Sequence, residues 1–309
     1  MSGIITITFS PCIDKSTSVP ALIPEKKLKC SMPVLQPGGG GINVARAIKY
    51  LGGEATAVFP SGGYTGKFFN HLLEMENITS LIIESSSETR ENIIIVEESS
   101  TNQYRFGMPG TQLSEEEWKK CLKAVEENDS AGFIVASGSL PPGVPADIYA
   151  QLAKIAKSIN AKLIVDTSGE ALKRAADEGV YLLKPNLSEL GTLAGLENID
   201  AGAVESIAKK LILENSCEVM IVSLGSEGAI LVTKEESYKV KPPKVDRKST
   251  VGAGDSMVAG IVISLSRGMS LKEALQYGVA CGSAATMNEG TSLCRKEDAD
   301  RLFERIKLE

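Results

Sequence analysis

The sequence predicts an α/β protein: a mostly parallel central sheet covered by helices on both faces, with a small separate β-sheet beside it. Three observations carry this. Short β-rich apolar runs alternate with helical patterns along most of the chain, which is how a parallel sheet between helical layers reads. Two stretches, about 15–37 and about 88–109, break that rhythm with β-like alternation and no long helix between strands. No repeat, low-complexity linker or composition shift divides the 309 residues, so 1–309 is expected to form one domain with those two stretches as a lid.

In chain order, 4–9 reads as the first strand. The opening MSGIITITFSPCID lacks a charged leader and a long apolar core, so a strand is expected there rather than a signal peptide. After the first lid stretch, 42–51 is helical and stops at Gly52-Gly53. A strand at 55–59, the turn SGGYTG and a further helix precede the second lid stretch. Residues 133–136 form a buried strand and about 145–159 a helix. Further strands are expected at 162–166, 181–183 and 219–223, with helices between, and the tail 295–309 is a charged amphipathic helix. In such sheets ligands bind outside the carboxyl ends of the strands.

Composition narrows the function. A chain 43% hydrophobic and 23% charged is ordinary for a globular protein and needs no staple to fold. A net charge of -6 argues against a general nucleic-acid binder without excluding a phosphorylated substrate. Cys12, Cys30, Cys121, Cys217, Cys281 and Cys294 form no C-x-x-C pair and read as reduced, mostly buried thiols. No apolar run reaches membrane-spanning length, so no membrane partner and a cytoplasmic enzyme are expected. The one histidine, His71, lies in a helical pattern and reads as a surface or structural residue. Proton transfer must then rest on a carboxylate, Lys, Tyr or Cys.

The strongest local signal is S-T-V-G-A-G-D-S at 249–256, running into an apolar helix. Gly252 and Gly254 permit a tight turn and close backbone approach. The helix that follows offers free N–H groups and a positive dipole end, a place for an anion. Asp255 in its first turn is either an ordinary cap or a chemical group. The flanking glycines and the lack of another base favour chemistry. A second glycine run, Gly38 to Gly41 before Asn43, suggests close backbone approach to a ligand over a plain turn. Neither cluster is a nucleotide-binding G-x-x-x-x-G-K-[ST] or G-x-G-x-x-G. Asn186 and Glu189 have the form of a capping box, and could also position Mg²⁺ through water. Asp14, just past the first strand, could accept hydrogen bonds from two sugar hydroxyls, or form an Asx turn. Lys27, Lys29, Arg90 and Arg105 fall in the lid stretches, where together they could hold a phosphate.

Taken together, PGGGGINVARAI, KPNLSE and STVGAGDSM, in order and nearly end to end, resemble the phosphofructokinase B family of ribokinase-like sugar kinases. The resemblance extends to YRFGMPG, SGSLPPGV, VDTSGEAL and GSAATMNEGT, which are similar to the 6-phosphofructokinase branch. It implies a ribokinase-like three-layer sandwich and ATP-dependent phosphorylation of the 1-hydroxyl of fructose 6-phosphate. By that resemblance Asp255 is the base, and the N–H groups of Gly252, Ala253 and Gly254 receive charge on the moving phosphoryl group. Asp14, Gly38, Gly39, Asn43 and Ser139 would hold the sugar. Lys27, Arg90, Lys29 and Arg105 would hold its phosphate. Lys184, Asn186, Glu189, Ser223, Gly225, Gly228, Ser249, Val279 and Ser283 would serve ATP and its Mg²⁺. K⁺ would be held at Ser249, Val251, Ala285, Asn288, Gly290 and Ser292, and the lid would join a homodimer. Relatives acting on fructose 1-phosphate or tagatose 6-phosphate usually carry Lys where this chain has Gly40, which favours fructose 6-phosphate. Those two sugars, and a nucleotide-binding regulator without turnover, remain the alternatives.

Overall fold

The computed structural model describes residues 3–128 and 130–308. Residues 1, 2, 129 and 309 of the expected domain lie outside the described residues. The strands are β1 (Gly3–Ile7), β2 (Cys12–Val19), β3 (Val34–Gly38), β4 (Thr56–Ser61), β5 (Thr79–Glu84), β6 (Arg90–Glu97), β7 (Gln103–Phe106), β8 (Ala131–Ser137), β9 (Lys162–Asp166), β10 (Val180–Leu183), β11 (Cys217–Ser223), β12 (Ala229–Val232) and β13 (Ser237–Val240). They form a nine-stranded sheet in the order β13-β12-β11-β10-β9-β8-β1-β4-β5 and a four-stranded sheet in the order β3-β2-β6-β7. The large sheet is parallel from β5 to β11 and antiparallel only across β11, β12 and β13.

Alternation along a strand sends successive side chains to opposite layers. On β8, Phe133 and Val135 join the core under one helical layer, while Ile134 and Ala136 join the core under the other. Both faces are therefore dry, which is why these strands read as unbroken apolar runs rather than alternating ones. The expected layers and lid are present. The lid begins earlier than the sequence suggests, at Cys12, so Asp14 sits within β2 and not in an Asx turn. The antiparallel edge β12–β13 went unread because its strands are four residues each.

The helix Ala253–Ser266 is apolar on nearly every side, with ten of its residues buried. Such a helix belongs inside a protein. It packs close against the helix Leu271–Thr286: a Cβ on Gly260 would stand 2.7 Å from the Cys281 sulfur and 3.0 Å from Gly278 Cα.

Five of the six cysteines are buried and all six are free thiols, as expected. His71 is on the surface, its side chain 60% exposed. No helix among the described residues is long and apolar enough to cross a membrane.

Candidate active site

The carboxyl ends of β9, β10 and β11 open on one edge, where Asp166 ends β9, Lys184 follows β10 and Ser223 ends β11. The helix Ala253–Ser266 meets them there. Its N-cap, Gly252, has φ of 73°, and a Cβ would come within 2.7 Å of a Leu293 methyl, so glycine is required. The first intrahelical bond runs from the Ser256 N–H to the Gly252 carbonyl, 2.8 Å. The N–H groups before it are free to face an anion. A Cβ on Gly254 would lie 3.9 Å from the Lys184 ammonium, its nearest neighbour outside the turn, so the path between them is open.

Asp255 caps no N–H. Its Oδ2 instead accepts from Asn43 Nδ2 at 2.9 Å, across 212 residues of chain. Burial pushes its pKa up to about 7, helped by Asp166 and Asp14 and opposed by the Asn43 hydrogen bond and Lys184. Lys184, only 6% exposed, pairs with Asp166 at 3.1 Å. Burial works against its charge, but Asp166, Glu189 and Asp255 outweigh that and raise its pKa. Burial also raises Glu189, with Asp166 adding to it. Three carboxylates thus surround one ammonium, an excess of negative charge suited to a further cation.

Asn186 and Glu189 do form the capping box, with the Asn186 N–H donating to Glu189 Oε2 at 2.8 Å and the Glu189 N–H to Asn186 Oδ1 at 2.9 Å. Capping leaves Glu189 Oε1, like Asp166 Oδ2, without a protein donor among the described residues. No group of three or more His, Cys, Asp or Glu among the described residues could hold a metal by itself. A divalent ion here would need ligands from a bound phosphate or from water.

Beside the helix end lies a cavity of about 580 Å³, lined by Ser223, Gly225, Gly228, Val279 and Ser283 together with Ala253, Gly254 and Thr250. Its lining is mainly apolar, as nucleobase sites are. Ser249 does not line it; its hydroxyl donates to the Gly290 carbonyl at 2.8 Å. That bond ties 249–252 to the loop 287–292. Of the six residues expected to offer K⁺ a carbonyl, Ser249 and Val251 lie on the first segment, and Asn288, Gly290 and Ser292 on the second. Ala285 is buried in the last turn of the helix before it. Asn288 Nδ2 braces the loop by donating to the Leu293 carbonyl at 2.9 Å.

On the lid side, Asp14 is 8% exposed and accepts from Asn92 Nδ2 at 3.0 Å and from the Cys12 thiol at 3.4 Å. A Cβ on Gly38 would fall 2.4 Å from Asp14 Oδ2, and Gly39 has φ of 109°. Arg90 is held by the carbonyls of Met108, 2.7 Å, and Ser10, 3.1 Å, with its Nε buried and unpaired. Arg105 donates to Thr250 at 3.2 Å.

Other expected residues stand apart from these. Lys27 and Lys29 are exposed in the connection between β2 and β3, with no hydrogen bond or ion pair among the described residues. Ser139 is exposed past the end of β8, in a separate shallow recess with Pro141 and Thr167. The glycine run is explained largely by the protein itself. A Cβ on Gly40 would meet the Ser137 hydroxyl at 2.3 Å, and one on Gly41 the Ile7 carbonyl at 2.6 Å. At these two positions glycine admits the neighbouring strand ends.

Sequence reasoning missed two residues. Asp166 stands beside Lys184, and its only signal was an aspartate closing a strand at the ligand-binding edge. Asn92, which orients Asp14, lies mid-strand and gave no signal.

Residues 3–298 match the pfkB family carbohydrate kinase description. The chain is 44% identical over 304 residues to the ATP-dependent 6-phosphofructokinase isozyme 2 of Escherichia coli, covering 98% of each. It is 32% identical to a 1-phosphofructokinase of Bacillus subtilis over 99% of each. The crystal structure of Escherichia coli phosphofructokinase-2 in complex with potassium superposes with a TM-score of 0.96 and 43% identity, covering 99% of this chain and 100% of that one. With its sheet, its lid and its glycine-led helix end, the chain belongs to the pfkB family of carbohydrate kinases.

Proposed function

We propose that this chain is an ATP-dependent 6-phosphofructokinase with Asp255 as its general base. One observation carries the reading: a carboxylate poised near neutrality stands at the amino end of a glycine-led helix, between Asn43 and Lys184. The 1-hydroxyl of fructose 6-phosphate gives its proton to Asp255. The freed oxygen bonds to the γ-phosphorus of ATP as the bond to the β-phosphate oxygen breaks, and ADP leaves. Free N–H groups at Gly252 to Gly254 and the Lys184 ammonium face the charge on the moving group, where such positioning supplies most of the catalysis.

Asp14 and Asn43 hold the sugar, Gly38 and Gly39 leave it room, and Arg90 holds its phosphate. Ser139, Lys27, Lys29 and Arg105 serve only if the lid or a second subunit brings them closer. ATP lies in the 580 Å³ cavity. Asp166 and Glu189 hold Mg²⁺ through water, and the ion when bound neutralises phosphate charge. K⁺ would be held at Ser249, Val251, Ala285, Asn288, Gly290 and Ser292, where its charge would steady the helix end. Met32, Val34, Tyr104, Phe106 and Met108 of the lid are exposed, an apolar surface that supports a homodimer formed through it. The chain works as one domain in the cytoplasm, with its lid running from β2 to β3 and from β6 to β7.

Fructose 6-phosphate is favoured over fructose 1-phosphate by the higher identity to the 6-phosphofructokinase. Gly40 supports it too, since its crowded surroundings admit no lysine without moving backbone. The test is kcat/KM for fructose 6-phosphate, fructose 1-phosphate and tagatose 6-phosphate, the ratio that measures discrimination. Fructose 6-phosphate is expected to lead by about tenfold or more, within the range a site built for a substrate's polar groups reaches. A lead by either other sugar reassigns the substrate, and ATP binding without turnover of any makes the chain a regulator.

The same reading fixes a pH dependence. Asp255 accepts a proton only when ionised, so kcat/KM rises with pH through a limb near pH 7. A profile in buffers of constant ionic strength checks it.

A further inference from the structure

The lid and the loop 287–292 meet at a contact that neither sugar binding nor phosphoryl transfer requires. The Thr291 hydroxyl donates to Gln36 Oε1 at 2.5 Å, across 255 residues of chain. Gln36 lies on β3 directly opposite Asp14 on β2, and Asp14 is directly opposite Asn92 on β6. Side chains opposite one another share a sheet face. Gln36, Asp14 and Asn92 therefore form one row across the lid, with Asn92 already bonded to Asp14 at 3.0 Å. Two residues along β2, Ser16 points the same way. Its hydroxyl is buried without a partner, and a Cβ on Gly290 would lie 3.8 Å from it. Gly290 in turn receives the Ser249 hydroxyl at 2.8 Å. The Thr291–Gln36 bond thus ties the strand that lies opposite Asp14 to the loop 287–292, which Ser249 also holds.

We propose that Gln36 and Thr291 are positioning residues that couple the sugar phosphate to the monovalent cation, so that each tightens the binding of the other. This rests on the K⁺ site proposed above. Placing K⁺ fixes the loop 287–292, the fixed loop holds Gln36, and Gln36 holds the strand pair that carries Asp14. Linkage then requires the reverse effect of equal size.

The test is the Kd of fructose 6-phosphate by titration calorimetry on the full-length protein, in KCl and in tetramethylammonium chloride of equal ionic strength. If wild type turns over one of the other two sugar phosphates instead, that sugar is used. The wild-type Kd is expected to be roughly fivefold or more lower in K⁺, the usual size of such couplings. Thr291→Val, which keeps shape and loses the donor, brings the ratio close to one. Gln36→Met does the same independently should the first variant fold poorly. Gln36→Glu, which can still accept from Thr291, keeps the ratio. A wild-type ratio of one overturns the coupling, while intact turnover would leave the kinase reading standing. Variants that bind sugar more weakly but keep the wild-type ratio also overturn it, since Gln36 and Thr291 would then be structural only.

Discussion

Asp255→Asn is expected to lower kcat by roughly 10²–10⁴-fold, the usual contribution of a positioned base, with little change in substrate affinity. The substitution keeps shape and can still hydrogen bond to Asn43, so the cleft is preserved. What it removes is the lone pair that receives the hydroxyl proton. His71 is on the surface and Lys184 is held protonated by the carboxylates around it, so neither takes its place. Steady-state kinetics with both substrates varied measures the effect.

The same variant should be more stable than wild type. Asp255 has a folded pKa of about 7 against an ordinary value of 3.8. Between those values the folded state binds more protons than the unfolded state, so stability falls as pH rises through that window. Asn carries no charge and escapes this loss. Its Tm should exceed wild type above pH 7, with the gap closing as pH falls toward 3.8. A gain in stability with a loss of rate is the usual mark of a group retained for chemistry.

Lys184→Met is expected to be the most damaging of single changes to the site. The ammonium is buried beside Asp166 and opposes Glu189 and Asp255 as well. Removing one partner of a buried pair leaves uncompensated charge, at a cost of about 3 kcal/mol at neutral pH. The charged Lys contributes this stability throughout the range below its ordinary pKa of 10.5, so the deficit is present at neutral pH. It should shrink in acid as the carboxylates protonate. Turnover should fall by roughly 10²–10³-fold, as when one group facing a developing anion is lost. Without the ammonium, the Asp255 limb should also move to higher pH. Urea denaturation at two pH values and a rate profile check these outcomes.

Much of the fold was legible because burial on both faces leaves a mark in the residues themselves. The runs at 133–136 and 162–166 are too apolar to be anything but central strands. The lid was legible from what it lacked, a helix between strands. Its starting point was not, because only Ser10 and Pro11 separate Cys12 and Ile13 from the strand read at 4–9. Asp255 could be found from its glycines and the helix behind it. Whether it capped the helix or faced a cleft depended on Asn43, 212 residues away. The glycine run was ambiguous for a related reason. A glycine needed by a ligand and one needed by a neighbouring strand end look identical until Ser137 and Ile7 are placed. Asp166 left only the faint mark of an aspartate closing a strand, and Asn92 none, because both act through tertiary neighbours.

Base chemistry at Asp255 is tested most directly by the pH dependence of kcat/KM in wild type and Asp255→Asn side by side. Wild type should lose activity below a limb near pH 7, and the variant's residual activity should show no such limb. The same limb in both proteins, or near-native turnover without the carboxylate, would place the proton acceptor elsewhere.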